Sequence, residues 1–252
     1  MSKVDIAFLT DAHIGQKVQL ENIVGSNKMF YVVASEEHKQ NLLVILEDVK
    51  KRGIKKVVFG GDVGLLESNG WFFETLKPFH FELFIVLGNH DKFETVQNYY
   101  NNKLLNGHNE MYYASEEDFF KYIFLDSSAN TISELQLSWL QQELLTPKKI
   151  VIFIHHPILK IETTLDKIGA SLQNREKLKQ ILIGHSNEIV IFCGHYHMPD
   201  IKINGNLCQF STPAVSYQIE KTQTDIQINN CTFGYRIISL QADKIITEII
   251  MF

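Results

Sequence analysis

The stretch Val57-Val58-Phe59-Gly60-Gly61-Asp62-Val63-Gly64 constrains the fold of this chain more than any other. Its apolar residues read as the end of a buried strand, the two glycines allow a sharp turn, and one carboxylate is left at the tip. A strand that ends this way delivers charge to a cleft and not to the core. The design occurs four more times. Ile6-Ala7-Phe8-Leu9 leads to Asp11-Ala12-His13, and Phe84-Ile85-Val86-Leu87 to Gly88-Asn89-His90-Asp91. Val151-Ile152-Phe153-Ile154 leads to His155-His156-Pro157, and Ile189-Val190-Ile191-Phe192 to Gly194-His195-Tyr196-His197. Five apolar runs that each end in Asp, Asn or His predict a polar site at the carboxyl edge of an open sheet.

The segments between these runs alternate in character. Ile14 to Ala34 shows no clear period and is expected to be an irregular excursion beside the cleft. Ser35 is expected to cap a helix with Glu36 and Glu37 in its first turn, an apolar stripe through Leu42, Leu43, Ile45, Leu46 and Val49, and an end at Gly53. A short helix through Trp71, Phe72, Phe73 and Leu76 stops at Pro78, which completes a βαβαβ alternation. Further on, a helix carries Val96, Tyr99 and Tyr100. Two strands around Met111 to Ala114 and Asp118 to Leu125 are joined by Ser115-Glu116-Glu117. Ser133 opens a helix with Leu135, Leu137, Trp139, Leu140 and Leu144 apolar and Pro147 at its close, and Arg175 to Ile183 is helical. From Ile201 onward the chain reads as short β runs, with turns at Asn204-Gly205 and Asn229-Asn230 and a closing hairpin about Ala242-Asp243. This tail is expected to form a second sheet packed on the first. The fold class is therefore α/β, a four-layer α/β/β/α sandwich of two mixed sheets flanked by helices, in one domain over residues 1–252.

Whole-chain charge and cysteine content narrow the function. A net charge of −5 with only three arginines, Arg52, Arg175 and Arg236, argues against a nucleic-acid partner. Lys50-Lys51-Arg52 reads as a solvated helix end. Cys193, Cys208 and Cys231 are too few and too scattered for a disulfide framework or a thiolate metal site, and Cys193 reads as a buried core thiol. No apolar run is long enough to span a bilayer, and the start of the chain lacks the apolar core of a signal peptide. A cytoplasmic location with no membrane partner is expected; whether the chain forms a homodimer is left open.

Six of the ten histidines, His13, His90, His155, His156, His195 and His197, fall in the strand-end clusters beside Asp11, Asp62 and Asn89. Imidazoles mixed with carboxylate and amide oxygens, without thiolate, suit Mn, Fe, Zn or Co better than Ca or Mg, and the number of donors suits two ions. In Asp11-Ala12-His13 and His195-Tyr196-His197 an extended backbone would send both outer side chains the same way. Taken singly, Asp11, Asp62 and Asn89 are turn formers and any one histidine is a structural residue. Asp126, Ser127 and Trp139 read as turn, cap and core, and His38, His80, His108 and His185 as surface residues or supports behind the site.

Asp-x-His, Gly-Asp, Gly-Asn-His-Asp, His-His-Pro and Gly-His-x-His, in this order, resemble the calcineurin-like metallophosphoesterases, and the motifs span about three-quarters of the chain. Leu125-Asp126-Ser127 followed by Glu134 to Leu140, and Thr212-Pro213-Ala214, resemble the class III cyclic nucleotide phosphodiesterase branch. The former pairing also resembles, less closely, the glycerophosphodiesterases. The resemblance implies one divalent or trivalent transition-metal ion on Asp11, His13, Asp62 and His197, and a second, bridged by Asp62, on Asn89, His155 and His195. His155 is chosen over His156 because the family's ligand lies two positions before the proline; His156 then supports the site from behind. Catalysis falls to Asp62 and to His90, which would bind phosphoryl oxygens or protonate the leaving alkoxide, with Asp91 orienting His90 or a ligand. The implied activity is hydrolysis of a small phosphodiester, foremost a 3′,5′-cyclic nucleotide, by a metal-bridging hydroxide.

The alternatives keep the same centre and change the substrate to a glycerophosphodiester, a phosphomonoester or a phosphoprotein. Ile158 replaces the usual second proline and Val63 a common leucine. The segment from Pro157 to Arg175, a candidate lining for the substrate, carries no aromatic residue to stack on a base. A non-catalytic scaffold would be expected to have lost a ligand, and none is lost.

Overall fold

The computed structural model describes residues 3–23, 26–33, 36–100, 109–222, 224–242 and 244–252. In chain order the elements are β1 (Val4–Leu9), β2 (Gln16–Ile23), β3 (Ser26–Val33), α1 (Glu37–Lys51), β4 (Lys56–Phe59), α2 (Ser68–Leu76), β5 (Glu82–Ile85) and α3 (Phe93–Val96). Then follow β6 (Tyr113–Glu116), β7 (Phe120–Leu125), α4 (Glu134–Glu143), β8 (Lys149–Ile154), α5 (Thr164–Lys167), α6 (Arg175–Ile183) and β9 (Ile189–Cys193). The chain closes with β10 (Asp200–Asn204), β11 (Leu207–Ser211), β12 (Gln218–Ile219), β13 (Ile228–Asn229), β14 (Gly234–Leu240) and β15 (Ile245–Met251).

Two mixed sheets carry the architecture, in the orders β15-β14-β1-β4-β5 and β10-β11-β9-β8-β7-β6. Strands β1, β4 and β5 run parallel in the first, and β7, β8, β9 and β11 in the second. The strands alternate between two apolar environments, as buried strands must. Ile150, Ile152 and Ile154 of β8 and Ile189 and Ile191 of β9 pack with Leu137 and Leu140 of α4 and Leu178 and Leu182 of α6. Val151, Phe153, Val190 and Phe192 point the other way and join Phe8 and the residues of α1 and α2 in a larger core. Phe8 meets Phe153 and Phe192 at ring distances of 5.5 and 6.3 Å, so an aromatic layer holds the sheets together. This is the expected four-layer order of helices, sheet, sheet and helices.

Several local expectations need correction. The tail does not build the second sheet by itself. Strands β14 and β15 extend the first sheet, with β14 antiparallel to β1, while β10 and β11 extend the second, whose other strands come from the middle of the chain. Tail residues that alternate apolar and polar fit the edge of either sheet, and sequence spacing does not choose between them. The segment after His13 is not irregular: β2 and β3 form an eight-residue antiparallel ladder from Gln16↔Val33 to Ile23↔Ser26. Val18 and Leu20 alternate with Lys17, Gln19 and Glu21 and share a face with Tyr31 and Met29, but this face is short and the unbroken apolar run Phe30 to Val33 masks the period. The turn between β6 and β7 lies one or two residues later than expected. In α4, Leu135 is exposed and Gln136 is buried, because the inward face of that helix follows Ser133, Gln136, Leu137 and Leu140. The expected helix through Tyr99 and Tyr100 ends at Val96. Ser133 caps α4 by accepting the Gln136 N–H, as expected. The proposed Ser35 cap, His108 and Asp243 lie outside the described residues.

Candidate metal centre

The carboxyl ends of β1, β4 and β5 meet those of β8 and β9 across the gap between the sheets. The polar cluster therefore lies between two sheets, where the sequence suggested one sheet edge. Its side chains converge by a route other than strand alternation. Asp11, His13, Asp62, His195 and His197 all have left-handed backbone, with φ of 56°, 42°, 59°, 69° and 49°. They are five of the seven non-glycine residues with this conformation among the described residues. Such backbone costs free energy and persists where the surroundings over-determine it, which is typical of functional sites. Two glycines admit the crowding: a Cβ on Gly88 would overlap Asp62 Oδ1, and one on Gly194 would overlap Thr10 Oγ1 and Asp11 Oδ2.

Donor atoms of Asp11, His13 and His197 lie within 4.8 Å of one another, as do those of Asp62, His155 and His195. Asp62 joins the groups: its Oδ2 is 3.5 Å from His13 Nε2 and 3.3 Å from His155 Nε2. His90 completes a third such group with His13 and Asp62. Asp11 Oδ2 accepts from Thr10 Oγ1 (2.7 Å) and from His195 N–H (3.0 Å), while Asp11 Oδ1 and Asn89 Oδ1 are buried without a hydrogen-bond partner. A buried oxygen without a donor is costly, and a cation supplies what these two lack. The donor set, oxygens and imidazole nitrogens without sulfur, fits transition-metal ions.

Each imidazole is aimed by the bond made at its other nitrogen. His155 Nδ1 donates to Gly60 O (2.8 Å), His197 Nδ1 to Tyr217 O (2.9 Å), and His195 Nε2 to Ala170 O (2.6 Å). The free nitrogens then face inward: His13 Nε2 and His197 Nε2 are 3.2 Å apart, and His155 Nε2 and His195 Nδ1 are also 3.2 Å apart. Burial pushes the His13 imidazole down to about 3 and His195 to about 4. Burial also disfavours charge on His155, but the Asp62 and Asp11 carboxylates outweigh it and raise this group to about 10. Without a metal, the two carboxylates thus favour a second ring proton on His155, at Nε2 facing Asp62.

The supporting residues differ from expectation in part. Asp91 does not touch the His90 ring. Its carboxylate accepts three backbone N–H groups, from Asp62 (2.7 Å), Val63 (2.9 Å) and Gly88 (2.9 Å), and so fixes the turn that carries Asp62. Burial and the Asp62 charge push the Asp91 carboxyl up to about 7, against those donors. His156 is fully buried behind the cluster, with Nδ1 at 2.9 Å from Ser127 Oγ and its ring 4.1 Å from that of His195. His38 is buried, and its Nδ1 donates to His13 O (2.8 Å). Asp126 is structural, as expected: Oδ2 accepts from Met111 N–H at 2.7 Å, and Gln136 bonds both its backbone groups.

Sequence reading missed the residues that line the His13 side. Gln16, the first residue of β2, places Oε1 3.0 Å from His13 Nδ1 and Nε2 3.5 Å from His90 Nδ1. Tyr31 of β3 stacks on His13 (5.3 Å, 16°), meets His90 edge-on (4.9 Å) and shares a 2.9 Å hydrogen bond with Tyr217. The only available signal was their position in a segment of unassigned structure after Asp-x-His. A third apolar cluster, including Val18, Ile161, Leu165, Tyr196 and Tyr217, binds this hairpin to the 157–172 segment and to the tail.

Comparison with known proteins agrees with the geometry. The family model described as calcineurin-like phosphoesterase matches residues 4–229. A "probable cyclic nucleotide phosphodiesterase" of Fibrobacter succinogenes is 27% identical over 240 residues, which is 92% of this chain and 88% of that protein. A "probable glycerophosphodiester phosphodiesterase" of Arcobacter nitrofigilis is 27% identical over 84% of this chain and 78% of its own length. Among solved structures, a dimetal phosphatase from Danio rerio has a TM-score of 0.66 at 14% identity, covering 97% of this chain and 98% of its own. At that identity it speaks for the fold alone. With the family model spanning nearly the whole chain and the fold shared, the chain belongs to the calcineurin-like phosphoesterases and is a phosphoester hydrolase.

Proposed function

We propose that this enzyme is a dinuclear metal-dependent phosphodiesterase that hydrolyses small phosphodiesters, foremost 3′,5′-cyclic nucleotides. The observation that carries the reading is the placement of Asp62 between two groups of donors, with Asp11 Oδ1 and Asn89 Oδ1 left unpartnered beside it. Asp11, His13, Asp62 and His197 would hold one ion, and Asp62, Asn89, His155 and His195 the other, as Mn, Fe, Zn or Co. Bound there, the ions supply the positive charge that activates water and neutralises the phosphoryl oxygens. Asp62 would position both ions, and the bonds to Gly60 O, Ala170 O and Tyr217 O occupy the outward ring nitrogens and turn the ligand nitrogens inward. His90, half-buried at the mouth, reaches the substrate. Three free thiols accord with a cytoplasmic enzyme.

A second reading, hydrolysis of glycerophosphodiesters, is favoured by the Arcobacter relative. Metal-stripped protein reloaded with Mn or Fe is assayed on cyclic AMP, bis(p-nitrophenyl) phosphate, p-nitrophenyl phosphate and glycerophosphocholine. Cyclic AMP turnover near the bis-ester rate supports the first reading, and turnover of glycerophosphocholine alone the second. Monoester turnover exceeding that of all three diesters overturns both readings. Asp62→Ala is expected to lose about 10³-fold or more in turnover with the fold retained.

A further inference from the structure

We infer that Gln16 is a positioning residue that fixes the tautomers of His13 and His90 together, leaving Nε2 of His90 as its hydrogen-bond donor. The inference rests on the dinuclear reading above and goes beyond it, since that reading leaves open whether His90 donates a hydrogen bond or a proton.

His13 Nε2 faces Asp62 Oδ2 at 3.5 Å, Asp11 Oδ1 at 3.9 Å and His197 Nε2 at 3.2 Å. As a ligand atom it carries a lone pair, so the ring proton sits on Nδ1. That N–H needs an acceptor, and the Gln16 oxygen is the atom 3.0 Å away. An amide that turns its oxygen to His13 turns its NH₂ the other way, and Gln16 Nε2 lies 3.5 Å from His90 Nδ1. His90 Nδ1 must then accept, which leaves its one proton on Nε2. Among the described residues Nε2 makes no hydrogen bond, and the ring is only half-buried.

The hairpin gives this relay its rigidity. Gln16 and Tyr31 sit on paired strands, with Val18 opposite Tyr31 and Gln16 opposite Val33. The Tyr31 ring lies flat on His13 and edge-on to His90, so the two imidazoles are held at 78° with centroids 4.9 Å apart. The geometry thus presents His90 Nε2–H to a phosphoryl oxygen as an oriented dipole.

The test reads the proton directly and the rate separately. In zinc-loaded protein at mildly alkaline pH, ¹⁵N NMR of the histidine rings should show His90 protonated at Nε2 and bare at Nδ1. Gln16→Glu keeps the acceptor for His13 but cannot donate, and should move a proton onto His90 Nδ1. Gln16→Met should lower kcat on bis(p-nitrophenyl) phosphate by about tenfold, with a smaller change in KM and unchanged metal content. Gln16→Met in a His90→Ala background should slow turnover less than it does in the wild type, the remainder being what Gln16 does through His13. A wild-type His90 protonated at Nδ1, or equal slowing by Gln16→Met with and without His90, overturns the inference. Failure of the wild type to hydrolyse any diester overturns the dinuclear phosphodiesterase reading instead, while the NMR result still decides the tautomer.

Discussion

Asp62 and Asp91 lock each other's turns: Asp91 Oδ2 accepts the Asp62 N–H at 2.7 Å, and Asp62 Oδ1 accepts the N–H of His90, the neighbour of Asp91, at 2.8 Å. The end of β4 and the end of β5 are thereby tied through two carboxylates, one facing the metal space and one turned from it. The Asp91 carboxyl group thus braces the left-handed backbone at Asp62.

Asp91→Ala removes the acceptor of three buried N–H groups and should destabilise the metal-free protein by about 3 kcal/mol or more. Urea unfolding with an unchanged slope measures this. Metal content per folded chain should fall as well, because the Asp62 turn loses its anchor; a variant with full metal content and wild-type stability would show that the turn holds itself.

Metal binding should release protons. The His155 imidazole, raised to about 10 by Asp62 and Asp11, carries its proton at neutral pH, and an ion must displace it to gain Nε2. Apparent affinity should therefore rise with pH by about tenfold per unit through the neutral range. Calorimetry of zinc binding in two buffers of different ionisation enthalpy counts the proton, and no buffer dependence would place the ion away from His155.

Asp166 of α5 and Arg175 of α6 form a bidentate pair at 2.7 and 2.9 Å, with the Tyr196 hydroxyl donating to the same carboxylate. Burial opposes the charge on Asp166, but Arg175 outweighs it and holds the group below its ordinary value. A depressed carboxyl stabilises the fold above its unfolded value near 3.9 and loses this contribution as pH falls through the lower folded value. Wild type should exceed Asp166→Asn by about 1–2 kcal/mol at neutral pH. The gap should close below about pH 4. Unfolding curves across that range check the sign.

Phe153 lies at the centre of the inter-sheet layer, with ring distances of 5.5 Å to Phe8, 5.3 Å to Phe124 and 5.6 Å to Phe192. Phe153→Ala should cost about 3–5 kcal/mol, read from the urea midpoint, whereas a loss under about 1 kcal/mol would mean that the sheets repack across the gap.

How far sequence alone reached differs from residue to residue. Strand ends, the Ser133 cap, the 175–183 helix and the nine polar residues at the strand ends are local signals, because an apolar run, a glycine and an adjacent carboxylate are neighbours along the chain. The sequence determined which side chains can serve as donors and that they stand where strands stop. It did not determine how they converge. Asp11 and His13 reach the centre through left-handed backbone, a conformation that contacts between β1, β4 and the tail impose, as in the bonds from Asp11 N–H to Gly61 O and from Ser216 N–H to Asp11 O. Nor could it place Gln16 and Tyr31, since the apolar face of the β2–β3 arm, through Val18, Met29 and Tyr31, is short, and the arm takes its position from packing on the 157–172 segment and the tail. Assigning β14 to one sheet and β11 to the other was likewise a tertiary choice, made by the pairing of β1 with β14 and of β9 with β11, between residues that lie far apart or look alike in the sequence.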